Sequence, residues 1–304
     1  MRNMSHIRQL ASQLKALGGA GLITMICALL TVTILALLVL FTLGESIPAF
    51  MNWTGASLTW ENKWTAEQDK YGLYVLLTSS IMASIGALAI SVPIGISAAI
   101  FIAEILPNWA KDIIKPLIEL IGAMPSVLYG FIGLKVLVPL IQDLFDIYYG
   151  QTALTASIVL AIIVVPTIVS LSSEVISAVP IEYKEAALAL GATKWQIIRH
   201  IVLPTAMPGI MASVILAFGR AIGETVAVVM VAGCSTELTK PFWNYLQPIY
   251  PMTAAIALGF GEAEIGETAY HVYFAVGTIL LAFAFLVNFL ANLLMKKGGV
   301  RLRL

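Results

Sequence analysis

Two ionisable residues stand inside an apolar run. Arg220 and Glu224 are four positions apart between Pro208 and Ala232, a spacing that places them one turn apart on one face of a helix. An arginine at the centre of a bilayer costs at least ~2.5–3.5 kcal/mol on insertion scales, so its presence needs a reason. One reason is an intramembrane ion pair that pins the helix in a bundle. Against it, Arg before Glu is the poorer orientation at this spacing, and two buried charges cost more than two apolar residues would. The other reason is that Arg220 lines the path of an anion. Its planar donor fork suits the oxygens of an oxyanion, and Glu224 beside it would moderate the attraction so that a doubly charged anion can leave. Ser126 and Tyr129 follow Pro125, where freed backbone groups beside hydroxyls could line the same polar cavity.

Other reactive groups are sparse. His6, His200 and His271 have no ligand spacing, and Cys27 and Cys234 form no CxxC pair, so neither a metal site nor a cofactor is expected. There is no G-x-x-x-x-G-K-[ST], H-E-x-x-H, G-x-S-x-G or G-x-G-x-x-G, and no Ser–His or paired-Asp arrangement in an apolar run, so the chain is not read as an enzyme. Several polar residues have structural readings. Gly219 and Gly223 form a G-x-x-x-G that lets another helix approach closely. Lys135 can snorkel to headgroups, Glu119 can pair with Lys115, and Thr78, Ser80 and Ser84 can join helices.

The elements that must position these residues are membrane spans. Of 304 residues, 60% are hydrophobic and 11% charged, with Lys+Arg and Asp+Glu equal at 17. Soluble domains carry about 25% charged residues, so a water-facing surface of normal size is excluded, as is a basic nucleic-acid binder. The partner of most of this surface is membrane lipid. At roughly 20 apolar residues per crossing, six spans are expected: Gly19–Leu43, Leu73–Ala103, Pro116–Ile141, Gln151–Leu171, Thr205–Ala232 and Val272–Met295. Pro93 is expected to kink the second. Met252–Phe260 is apolar but too short to cross, and reads as a hydrophobic plug or a re-entrant segment.

Orientation follows from the basic residues. With the N-terminus inside, twelve fall in inner segments (Arg2, Arg8, Lys15, Lys111, Lys115, Lys184, Lys194, Arg199, Lys296, Lys297, Arg301, Arg303) and three in outer loops (Lys63, Lys70, Lys240). Both termini are therefore expected in the cytoplasm. Acids such as Glu61, Asp69, Asp143, Glu264 and Glu267 then fall outside.

One inner loop, 172–204, is long. Lys184–Leu190 is rich in helix formers, Gly191 supplies a left-handed terminus, and Thr193 is an N-cap for a second helix that ends near Pro204. A helix–Gly–helix elbow below a bundle is either a docking surface or a hairpin packed on itself.

The spacing E-A-A, three residues, G, nine residues, I-x-L-P fits Glu185, Ala186, Ala187, Gly191 and Ile201-Val202-Leu203-Pro204. This resembles the EAA loop of ABC-importer permeases. Ile118–Gly130, with its IEL and PSV-YG, and Gly219–Thr225, with its GRA-GET, look like segments of the PstC-type phosphate permeases; Pro93-Ile94-Gly95 and Leu137-Val138-Pro139 add to the likeness. One departure is Gly233-Cys234-Ser235, where that family leads one to expect a Gly-Asn pair.

The resemblance implies an all-α membrane protein of six transmembrane helices with the type I ABC importer (MetI-like) permease fold. Residues 71–295 would form the permease domain, 1–70 an N-terminal cytoplasmic segment, first helix and external loop, and 296–304 a cytoplasmic tail. It implies coupling through Glu185, Ala186, Ala187 and Gly191, and a phosphate path at the Arg220 segment. The implied partners are a PstA-like second permease, two PstB-like ATPase subunits and a PstS-like external phosphate-binding protein. A permease for sulfate, molybdate or tungstate remains open at this point, as does, remotely, a membrane-embedded enzyme or sensor.

Overall fold

Apolar runs long enough to cross a bilayer become helices because the backbone must satisfy its own polar groups there. The computed structural model describes residues 18–51, 58–65, 68, 70–238, 241 and 243–297. Among them, six helical stretches are long and apolar enough to span: Gly21–Met51, Leu73–Ile105, Ser126–Phe145, Ala153–Ser177, Lys194–Gly223 and Thr268–Leu290. Arg2, His6, Arg8, Lys15, Asp69, Lys240, Arg301 and Arg303 lie outside the described residues.

In chain order, α1 is Gly18–Met51, and a short antiparallel pair, β1 (Trp64–Thr65) and β2 (Lys70–Tyr71), precedes α2 (Leu73–Ile100). Then come α3 (Asn108–Ala123), α4 (Ser126–Ile132), α5 (Val138–Phe145), α6 (Ala153–Ser177), α7 (Ile181–Ala189) and α8 (Lys194–Ile197). The chain ends with α9 (Leu203–Gly223), α10 (Val226–Val231), α11 (Met252–Gly259) and α12 (Thr268–Lys297). Helix α6 is the hub: 61% of its most apolar stretch is buried, against 0% for α1, which packs at the edge on α12.

Among the described residues three π-turns interrupt the helices, Phe101–Ile105, Gly133–Leu137 and Ile198–Val202. Each closes with an amide reaching back five residues: Leu106 to Phe101, Val138 to Gly133 and Leu203 to Ile198. Each of those amides directly precedes a proline, at Pro107, Pro139 or Pro204. Proline offers no N–H and crowds the residue before it, so the turn widens by one residue.

The span boundaries need three corrections. The stretch expected at Pro116–Ile141 is broken, because Met124 and Pro125 are extended (ψ 142° and 134°) and separate α3 from α4. The X-Pro restriction at Met124-Pro125 accounts for it. The run Thr205–Ala232 is also broken, after Gly223, and Pro204 does not end the inner helix, which continues through a π-turn into α9. Helix α2 carries Pro93 in its interior and continues to Ile100, where the π-turn at Phe101 follows.

The short apolar segment is a plug. Met252 to Ala255 of α11 are buried. The amides of Tyr250 and Met252 donate to Ser79 Oγ and Ser80 Oγ, each at 2.9 Å, so the plug entrance is hydrogen-bonded by α2. Ser80 therefore joins elements as expected.

The GCS departure has a physical signature. Gly233 and Cys234 both have positive φ, 81° and 49°. Asn tolerates this region far better than Cys does, which is why a Gly-Asn pair suits the site. Burial also pushes the Cys234 thiol up to about 11. Cys234→Asn is expected to stabilise the protein by up to ~1 kcal/mol, read as a higher thermal midpoint in detergent. A lower midpoint would show that the half-buried thiol outweighs the backbone strain.

Candidate functional site

The two breaks lie side by side. Helix α4 crosses α10 where Gly130 leaves room: a Cβ there would sit 2.9 Å from Ala227 Cα. In the last turn of α9, Arg220 Nη1 donates to Thr167 Oγ1 and Nη2 to the Gly122 carbonyl, both at 3.0 Å. Thr167 sits near the middle of α6, so the guanidinium stands level with the middle of that span, although Arg220 lies in the last turn of α9. Tyr129 is buried, and its hydroxyl donates to the Ile121 carbonyl at 2.5 Å. At the end of α3 the Gly122 carbonyl is thus held by a cation, and the Ile121 carbonyl by a hydroxyl as well as by the Met124 amide, groups a helix C-terminus favours.

Glu224 does not pair with Arg220. The helix stops at Gly223 and Glu224 is extended (ψ 127°), so the i, i+4 geometry never forms. Among the described residues, the ion pair of permanently charged side chains within 4.0 Å is Lys184–Glu104, and His271 Nδ1 lies 3.4 Å from Glu45 Oε2. Instead, the Glu224 carbonyl accepts from Thr253 Oγ1 at 3.0 Å, tying the break to the plug. Arg220 is held by neutral oxygens and is exposed on this chain, and two of the five guanidinium donors are used in these bonds. Ser126, the first residue of α4, is half-buried beside this cluster. Sequence reasoning grouped Arg220, Ser126 and Tyr129 and missed Thr167 and Gly122. A lone Thr following Pro166 in an apolar run was the available signal for the former.

Two smaller expectations also change. Nothing lies within 4 Å of where a Cβ on Gly219 or Gly223 would stand, so among the described residues no helix packs on that G-x-x-x-G. Lys115 and Glu119 form no ion pair; it is Lys111 whose Nζ is engaged, on the Ala103 carbonyl at 2.6 Å. Lys135 is exposed on the second π-turn.

The elbow at the opposite end of the spans forms as the sequence predicts. Gly191 has φ 82°. Thr193 Oγ1 accepts from the Gln196 amide and Gln196 Oε1 from the Thr193 amide, a capping box. Of α7, Ala187 alone is buried, in a small core with Ala103, Ile176 and Ile197, whereas Glu185 and Ala186 are exposed. Ile181, Tyr183, Leu188 and Trp195 are exposed too, and Leu190 is 89% exposed. An uncovered apolar rim on a small-residue anchor fits a docking surface, not a hairpin packed on itself.

The comparisons with known proteins agree with this architecture. Residues 91–297 match the family model described as binding-protein-dependent transport system inner membrane component. The chain is 38% identical to a probable ABC transporter permease protein, YqgH, of Bacillus subtilis, over 80% of this chain and 77% of that one. It is 34% identical to the phosphate transport system permease protein PstC of Haemophilus influenzae, over 90% and 91% of the two chains. The fold resembles a chain of a bacterial ABC transporter that imports alginate, with TM-score 0.60 and 15% identity over 90% of this chain and 95% of that one. It also resembles a chain of the MetNI methionine ABC transporter in an inward-facing conformation, with TM-score 0.53 and 16% identity over 74% and 93% of the two. With six spans, an exposed elbow at one end and a family match running from α2 to the end of α12, the chain is a multi-pass membrane protein that belongs to the binding-protein-dependent transport system inner membrane components.

Proposed function

We propose that this chain is the transmembrane permease subunit of an ATP-driven phosphate importer and forms half of its translocation path. The observation that carries the reading is Arg220: a mid-span guanidinium held by neutral oxygens keeps its full charge for an anion. A fixed cation in a low-dielectric path attracts an oxyanion strongly, and the relatives named for phosphate transport indicate which one. Ser126 and Tyr129 stand beside the path, and Glu224, in the neighbouring break, takes up Arg220 as the bundle rocks, so that the anion is released.

Residues 71–295 serve as the permease unit. The basic residues favour the elbow end as cytoplasmic, with both termini on that side. There Glu185, Ala186, Ala187 and Gly191 receive the push of two ATPase subunits. A second permease completes the path, and an external phosphate-binding protein delivers the anion. The chain itself catalyses no chemical step.

A guanidinium fork would also accept sulfate, molybdate or tungstate, and competition separates these readings. Labelled-phosphate uptake is expected to disappear in cells lacking this chain and other phosphate importers, and to withstand excess sulfate or molybdate when the chain is present. Unchanged uptake without the chain, or suppression by a competitor, would transfer the reading to another oxyanion.

A further inference from the structure

Helix α7 meets the spans through one charged contact. Lys184 Nζ lies 2.6 Å from Glu104 Oε1, and the two side chains are only 17% and 10% exposed. Glu104 belongs to the π-turn Phe101–Ile105 that closes α2. The same turn is gripped from α3, where Lys111 Nζ donates to the Ala103 carbonyl at 2.6 Å. Lys111 stands in the first turn of α3, and the far end of that helix offers the Gly122 carbonyl to Arg220 at 3.0 Å. Over 16 residues, α3 is a rod of ~24 Å. Polar contacts at the two ends of α3, a helix with Pro116 inside it, therefore link the π-turn beside the elbow to the mid-span guanidinium.

We propose that Glu104 is a positioning residue for energy coupling. It transmits displacement of α7 to α3, and so sets whether Gly122 holds Arg220 or yields it to an anion. The inference rests on the permease reading above. A widened turn is a suitable joint because its hydrogen bonds have a near-by alternative register. The rod has a discrete end-state at Gly122, bonded or released, that both the elbow and the anion bias. Lys184 and Glu104 pull the joint from the elbow side, and Lys111 passes the shift on.

The test uses the complete importer, with its ATPases and second permease, in proteoliposomes supplied with the external binding protein. In E104Q, ATP hydrolysis is expected to continue while phosphate moved per ATP hydrolysed falls about fivefold or more. The charge-exchanged pair E104K/K184E is expected to recover most of that ratio. A pair that only stabilises the fold would lower assembly and hydrolysis together and leave the ratio at the wild-type value; that result overturns the proposal, as does failure of the exchanged pair to recover. Should E104Q not assemble, K184Q, on the exposed elbow, carries the same measurement. A wild-type complex that hydrolyses ATP but moves no phosphate would count against the phosphate reading instead, and the ratio is then read with sulfate or molybdate as cargo.

Discussion

Arg220→Leu is expected to cut phosphate uptake by about one to two orders of magnitude, the worth of a charge-assisted contact of ~1.5–3 kcal/mol. It should do so while making the chain easier to insert, because a mid-span Arg costs ~2.5–3.5 kcal/mol. These opposite signs separate a transport role from a structural one. A pinning cation, once removed, would lower both folding and uptake. The bonds lost inside the chain are to neutral oxygens of Thr167 and Gly122, and Thr167 can turn its hydroxyl to a carbonyl of its own helix. Arg220→Lys keeps the charge but loses the fork, so uptake should fall between the two. Uptake and protease resistance of the inserted protein, measured together, decide it: normal uptake by the Leu variant would remove Arg220 from the path.

The second large effect is expected at the elbow. Gly191 has φ 82°, and its amide donates to the Leu188 carbonyl at 2.9 Å. Gly191→Pro forces φ to about −65° and removes that donor, so α7 and α8 cannot keep their angle. Helices α1 to α6 precede this turn, and they meet the elbow at their ends, through Ala103 and Ile176. The expected result is a complex that inserts and hydrolyses ATP but takes up almost no phosphate. Gly191→Ala is the graded control. Nothing lies within 4 Å of the new Cβ, leaving only the left-handed backbone penalty of ~1–2 kcal/mol, and uptake should be reduced without being lost. Normal uptake by the Pro variant would detach the elbow from coupling.

The elbow and the number of spans were legible because both are written in short-range chemistry. Length against bilayer thickness counts the helices, and Thr193 and Gly191 mark caps by residue type. The interior of the site was legible only in part. Arg220 announces itself by its insertion cost, but pairing it with Glu224 assumed a helix through Gly223 that the chain does not make. The broken backbone there is tied to the plug by Thr253 on the Glu224 carbonyl, and no periodicity carries that contact. Thr167 and Gly122 were hidden for a related reason. They come from α6 and from the end of α3, 53 and 98 residues from Arg220 in sequence, and only the tertiary fold joins them. Lys184 and Glu104, 80 residues apart, are a further case.

The π-turn at Ile198–Val202 also fixes the azimuth of the site. One residue stored in such a turn rotates everything beyond it by about 100° relative to an unbroken helix of 3.6 residues per turn. Arg220 lies downstream of that extra residue and the elbow upstream. The angular phase between the exposed elbow and the guanidinium is therefore set by Pro204 and the widening it imposes. Straightening the helix by one residue would leave its apolarity unchanged and its length nearly so, yet it would turn Arg220 about a quarter of a circle away from Thr167 and Gly122. In this chain, where the charge points is a matter of helical phase as much as of depth.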